Sequence, residues 1–234
     1  MSGRPDLVAA VFHAIEYLGL LAGVGSFVIR RLGRLTPQIA WARPPMPIAF
    51  AAALAGGSAL LVVERDWAVA IRVVFEGLAL LLCLRRSGFV APPAVLAALF
   101  LPVHLHGPGS LFGAELHVLS AAMWAGGVLA LASLRPPDGW ASPEARMLLQ
   151  RFGRIAFIAF GVTALTGVLR ASELIHDVSD LWTTTYGVVL ALKLAGVLVM
   201  LALAPLWRRG PAEAYAGVVV IAATALLAAF PFPA

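Results

Sequence analysis

Ionisable side chains that fall inside long apolar runs of this sequence include His13, Glu16, Arg72, Glu76, Glu115, His117 and Lys193. A charge in hydrocarbon is costly, so such groups turn toward a bundle interior and mark ion pathways, proton relays or cofactor sites. Imidazole and carboxylate together suit capture of a metal cation. His13 and Glu16 are three residues apart and share one helical face. Arg72 and Glu76 are four apart, which predicts an ion pair within a single helix. Lys193 needs a counter-charge that either Glu16 or Glu115 can supply, and Glu16 is also a candidate proton acceptor. A second set lies at the ends of the runs or between them: His104 and His106, with Glu64, Asp66, Glu173, His176, Asp177 and Asp180. His104 and His106 diverge on a helix, but in an extended loop both can reach one ion.

The elements that must position these groups follow from composition. Of the 234 residues 61% are hydrophobic and only 12% charged, with a mean hydropathy of +0.93. Soluble domains are about half apolar and about a quarter charged. A soluble enzyme and a disordered chain are thereby excluded, and one cysteine, Cys83, excludes a disulfide scaffold. Eight apolar runs approach the roughly 20 residues a membrane helix needs. They are Leu7–Ile29, Pro47–Val63, Trp67–Leu84, Phe89–Val103, Leu111–Leu134, Ile155–Ile175, Thr185–Trp207 and Ala212–Phe230. The prediction is an all-α polytopic membrane bundle of about eight transmembrane helices, one transmembrane domain over residues 1–234. Glu16 within the first run argues for a retained helix rather than a cleaved leader.

Loop charge orients the bundle. Twelve of the 17 basic residues follow the first, third, fifth and seventh runs: Arg30, Arg31, Arg34, Arg43, Arg85, Arg86, Arg135, Arg146, Arg151, Arg154, Arg208 and Arg209. The opposite side holds Arg4, Arg65 and Arg170. Cytoplasmic loops collect Arg and Lys, so both termini are expected outside. The net charge of +5 then reflects membrane orientation, not nucleic-acid binding. Counted at 1.5 Å per residue from the outer end, His13 and His117 lie about 9 Å deep, Glu16 and Glu76 about 13 to 14 Å, and Arg72 and Lys193 about 7 to 12 Å. The expected ligand layer is His13, Glu16, Glu115 and His117, with His104 and His106 in the vestibule above. Two imidazoles at matching depth on different helices also fit bis-His ligation of haem b.

The fifth run reads Leu116-His117-Val-Leu-Ser-Ala-Ala-Met-Trp124-Ala-Gly126-Gly127. It resembles the "LH…W-x-GG" signature of the copper-resistance protein D (CopD/PcoD) family of bacterial inner-membrane proteins. Arg151-Phe-Gly-Arg154-Ile-Ala with Leu165-Thr166-Gly167, and Tyr186-Gly187 through Leu190 to Lys193, are similar to two further helices of that family. The resemblance covers about residues 111–207. It implies a multi-pass inner-membrane protein that passes copper ions inward, with a periplasmic CopC-like copper carrier as partner alongside the lipid bilayer. His117 would be a copper ligand, Trp124 a packing element beneath it, and Tyr186 and Lys193 would face the same cavity, with Arg72 and Glu76 in support. Ser120, Ala121 and Trp124 share a stripe with His117, and the small residues admit a neighbouring helix. Met123 and Met200 are the only methionines inside runs, so imidazole and carboxylate would carry the ion. No phosphate loop, nucleophile elbow or other enzymatic constellation is present. Two alternatives stand beside transport: a membrane b-type cytochrome, and a non-transporting subunit or sensor for a periplasmic copper carrier.

Overall fold

The structure, a computed structural model, describes residues 6–103, 111–174, 177, 179–205 and 212–229. Nine helices and no strand occur among them: α1 (Leu7–Gly33), α2 (Met46–Glu64), α3 (Trp67–Leu84), α4 (Ala91–Leu99), α5 (Leu111–Ala132), α6 (Pro143–Leu174), α7 (Asp180–Thr183), α8 (Thr185–Leu203) and α9 (Ala212–Ala228). The all-helical class is as expected, with six helices long and apolar enough to cross a membrane: α1, α2, α3, α5, α6 and α8.

The boundaries follow local chemistry. Asp6 caps α1 by accepting from the Val8 and Ala9 amides at 2.9 and 3.2 Å, and Asp66 caps α3 through the Ala68 amide at 2.6 Å. Side-chain oxygens in this role satisfy the orphan donors of a first turn. Arg65 takes a left-handed conformation (φ 52°) and so reverses the chain sharply between α2 and α3. Pro92 lies in the first turn of α4, where proline is tolerated.

Two expected spans come out shorter. The run Phe89–Val103 yields only the nine-residue α4, about 14 Å long against a hydrocarbon core of about 30 Å. The 17 residues of α9 reach about 26 Å. In the other direction, α6 begins at Pro143, well before the Ile155 where its apolar run starts. Arg146, Arg151 and Arg154 therefore sit on helix rather than in a loop.

Helix α1 is the hub and packs against α2, α4, α5, α6 and α9. Its apolar window and that of α5 are each 56% buried, against 17% for α6 and 11% for α8. Glycine is what brings the central helices together. A side chain at Gly25 would strike the backbone of Gly126 and Gly127, and one at Gly126 the carbonyl of Leu21. On the other side of α1, one at Gly19 would strike the backbone of Ala53. Small residues are how membrane helices gain close van der Waals contact, since lipid offers no hydrophobic drive for helix association. At the ends of the bundle the Asp6 amide donates to the Ala229 carbonyl at 3.2 Å, joining the start of α1 to the end of α9.

A valine at Gly126 meets backbone, which no rotamer change relieves. Gly126→Val is expected to destabilise the detergent-solubilised protein by about 3 kcal/mol or more. Gly153→Ala, exposed and with no neighbouring atom within 4 Å, should be neutral or stabilising by up to about 1 kcal/mol. Thermal unfolding of the two variants checks the contrast.

Candidate functional site

The polar layer expected from the sequence divides into two clusters. The first lies where α1, α2 and α3 meet. His13, Glu16, Arg72 and Glu76 are all buried, the last three completely. Arg72 directs Nε to Glu16 Oε1 at 2.9 Å and a terminal nitrogen to Glu16 Oε2 at 3.3 Å. Its other terminal nitrogen reaches the Phe100 carbonyl just beyond α4 at 3.5 Å. The predicted ion pair of Arg72 with Glu76 inside α3 is thus replaced by a fork across to α1. A guanidinium matches both oxygens of one carboxylate, and Glu16 presents both of its own to Arg72. The same fork takes Glu16 away from Lys193 as a counter-charge.

His13 donates or accepts through Nε2 at 2.9 Å from Glu64 Oε1, and its Nδ1 lies 3.9 Å from Glu16 Oε2. Glu64, at the last residue of α2, is the partly exposed member of the cluster. Gly57 supplies the room: a Cβ there would stand 2.5 Å from Glu76 Oε2 and 3.2 Å from Glu16 Oε1.

The second cluster is a polar seam between α5 and α6. His117 is half-buried, and its Nδ1 lies 3.0 Å from the Thr166 hydroxyl. That hydroxyl is 2.7 Å from the Val162 carbonyl and donates to it, one turn back on α6. With its proton directed there, the Thr166 oxygen accepts from His117 Nδ1–H, and in the neutral ring the lone pair falls on Nε2. This arrangement is the usual way a metal-binding imidazole is oriented. Gly167 makes it fit, since a Cβ there would stand 3.2 Å from His117 Cε1. Below, Ser120 bonds to the His117 carbonyl at 3.1 Å and receives the Thr163 hydroxyl at 2.8 Å.

The rest of the signature is the packing of this seam. A side chain at Gly127 would collide with the Phe152 ring. Trp124 stands edge-on to Phe160, with ring centroids 4.9 Å apart. Arg151 donates to the carbonyls of Leu32, Leu35, Thr36 and Pro37 at 3.0 to 3.2 Å, fastening α6 to the end of α1.

The remaining candidates distribute as follows. Glu115 is half-buried near the start of α5. Tyr186 and Lys193 are half-buried on α8, whose packing partners are α7 and α9 rather than α5. Tyr186 packs with Val189 and Ala223. His104, His106 and His176 lie outside the described residues. Among the described residues no three of His, Cys, Asp and Glu converge as a metal site. Thr166, Thr163 and Gly57 carry roles that residue type alone does not signal, because threonine and glycine are ordinary in membrane helices.

Residues 146–225 match the family model for Copper resistance protein D. The chain is also similar to the Copper transport protein CutJ of Bacillus subtilis (strain 168), at 33% identity over 81 residues. That alignment covers 33% of this chain and 15% of the relative, so the chain spans only a small part of the curated relative it matches. No solved structure matches. The family match starts later than the resemblance of residues 111–207 and extends past it: His117 on α5 lies before its first residue, while Thr166 and Gly167 lie inside it. From the first turn of α6 into α9, this multi-helix membrane chain is therefore similar to Copper resistance protein D.

Proposed function

We propose that this chain moves copper ions across the inner membrane of a bacterium, inward from the periplasmic side. The observation that carries the reading is the Thr166–His117 hydrogen bond, which joins the family-matched helix α6 to an imidazole whose Nε2 has the lone pair a metal needs. Glu115 and the vestibule histidines His104 and His106 complete the ion's route to that nitrogen. His13 and Glu16 are engaged with Glu64 and Arg72 and stand outside this route. The likeness to a copper transport protein supports the choice of ion. A periplasmic CopC-like carrier is the proposed donor.

The proposed topology has eight crossings with both termini outside. Three observations support it. The hydrogen bond from Asp6 to Ala229 brings the two ends of the chain to one level, which requires an even number of crossings. The Phe100 carbonyl, just past α4, meets Arg72, twelve residues above the inner end of α3. The α4 segment therefore climbs about 18 Å back into the outer leaflet. Trp41 and Trp140 meet edge to face beside Glu144 on the arginine-rich side, as aromatic residues do at an interface.

Three measurements test the proposal. Copper retained by purified protein should fall at least tenfold in His117→Ala, and Thr166→Val should lower copper affinity about 10- to 100-fold while Thr166→Ser preserves it. Equal copper in wild type and His117→Ala removes the ligand role, and a Soret band in place of copper makes the protein a cytochrome. In a Cys83→Ser background, Ser179→Cys should react with an impermeant thiol reagent in intact spheroplasts and Ser87→Cys should not; the reverse pattern inverts the topology.

A further inference from the structure

Glu76 is completely buried on α3, and neither of its carboxyl oxygens meets a hydrogen-bond donor among the described residues. Arg72, one turn away, turns its fork to both oxygens of Glu16 instead. The groups facing Glu76 can be named helix by helix. From α1 comes Glu16, from α2 the bare Cα of Gly57 and from α3 Arg72, with His13 beside Glu16 and Glu64 beside His13. Among the described residues the end of α4 brings the Phe100 carbonyl, already bonded to Arg72. One guanidinium thus faces two carboxyl groups, and it is bidentate on one of them. An ionised Glu76 would be a buried anion beside another anion, with no donor to compensate its lost hydration.

The geometry points to Glu76 as a proton-binding site, loaded from the outer rim through Glu64, His13 and Glu16. Each step has a structural counterpart. Glu64 is 25% exposed and can exchange protons with water. Its Oε1 is 2.9 Å from His13 Nε2, and His13 Nδ1 is 3.9 Å from Glu16 Oε2, a gap that a small turn of the ring must close for the proton to pass. Glu16 and Glu76 both crowd against Gly57, which sets the Glu16 carboxylate beside Glu76 as the acceptor for its O–H. A proton entering one imidazole nitrogen releases one from the other, passes to Glu16 and settles on Glu76. The Glu16, Glu76 and Arg72 set thereby goes from one net negative charge to none, and the proton comes from the external water. The site lies outside residues 146–225 and away from the His117 route, so it stands whether or not copper is the ion moved.

Infrared spectroscopy of the purified full chain in lipid nanodiscs, with no metal added, tests this. The carbonyl stretch of a protonated carboxyl should persist at neutral pH, where exposed carboxyls are ionised, and should vanish in Glu76→Gln. Glu76→Asp, which keeps the acid, should move the band rather than abolish it. In Glu64→Gln the band should remain while its hydrogen–deuterium exchange slows at least tenfold. Absence of the band in wild type, or its survival unchanged in both Glu76 variants, overturns the proposal. Unchanged exchange in Glu64→Gln overturns the loading route.

Discussion

The close crossing of α1 with α5 at Gly25 and Gly126, and with α2 at Gly19, is the contact on which the other features of the bundle rest. Lipid tails are as apolar as leucine, so a membrane helix gains no hydrophobic advantage from a neighbour and depends on contact area instead. Backbone-to-backbone approach supplies that area and leaves no room for a Cβ. It also packs α1 against α2 on one side and against α5 and α6 on the other, with Glu16 in reach of Arg72 on α3. Both polar clusters lie against helices that α1 holds in place.

Within this frame the two clusters handle buried polarity differently. The α1–α2–α3 cluster joins formal charges, and the bidentate Arg72–Glu16 pair compensates only part of them. Charges of this kind are hard to keep in lipid unless they are paired or neutralised. The α5–α6 seam uses an imidazole, hydroxyls and backbone carbonyls. It orders the ring through hydroxyls and carbonyls rather than through a counter-charge. The one seam that reaches into the family-matched region is of this second kind.

Much of this was legible in the sequence. The bounds of α3, Trp67–Leu84, coincide with its apolar run because Asp66 caps one end and Arg85–Arg86 closes the other. His13, Glu16, Arg72 and Glu76 stand out because ionisable residues are rare in apolar runs. Two things were not legible. The start of α6 is hidden because Arg146, Arg151 and Arg154 look like loop residues, yet helix continues past the hydrocarbon with Arg151 bonded to the end of α1. The partner of Arg72 is hidden because spacing reports only neighbours on the same helix, whereas a guanidinium takes the carboxylate that offers both oxygens.

The sequence alone determines an all-helical membrane protein, the face on which arginine gathers and the ionisable residues that enter the apolar layer, since these depend on composition and period. Tertiary structure alone decides which of them meet. It pairs Arg72 with Glu16, leaves Glu76 without a donor among the described residues and sets the His117 ring against Thr166 and Gly167. The reason is geometric: side chains that touch across helices are fixed by where glycine lets the backbones approach, and that depends on the helices together, not on any one of them.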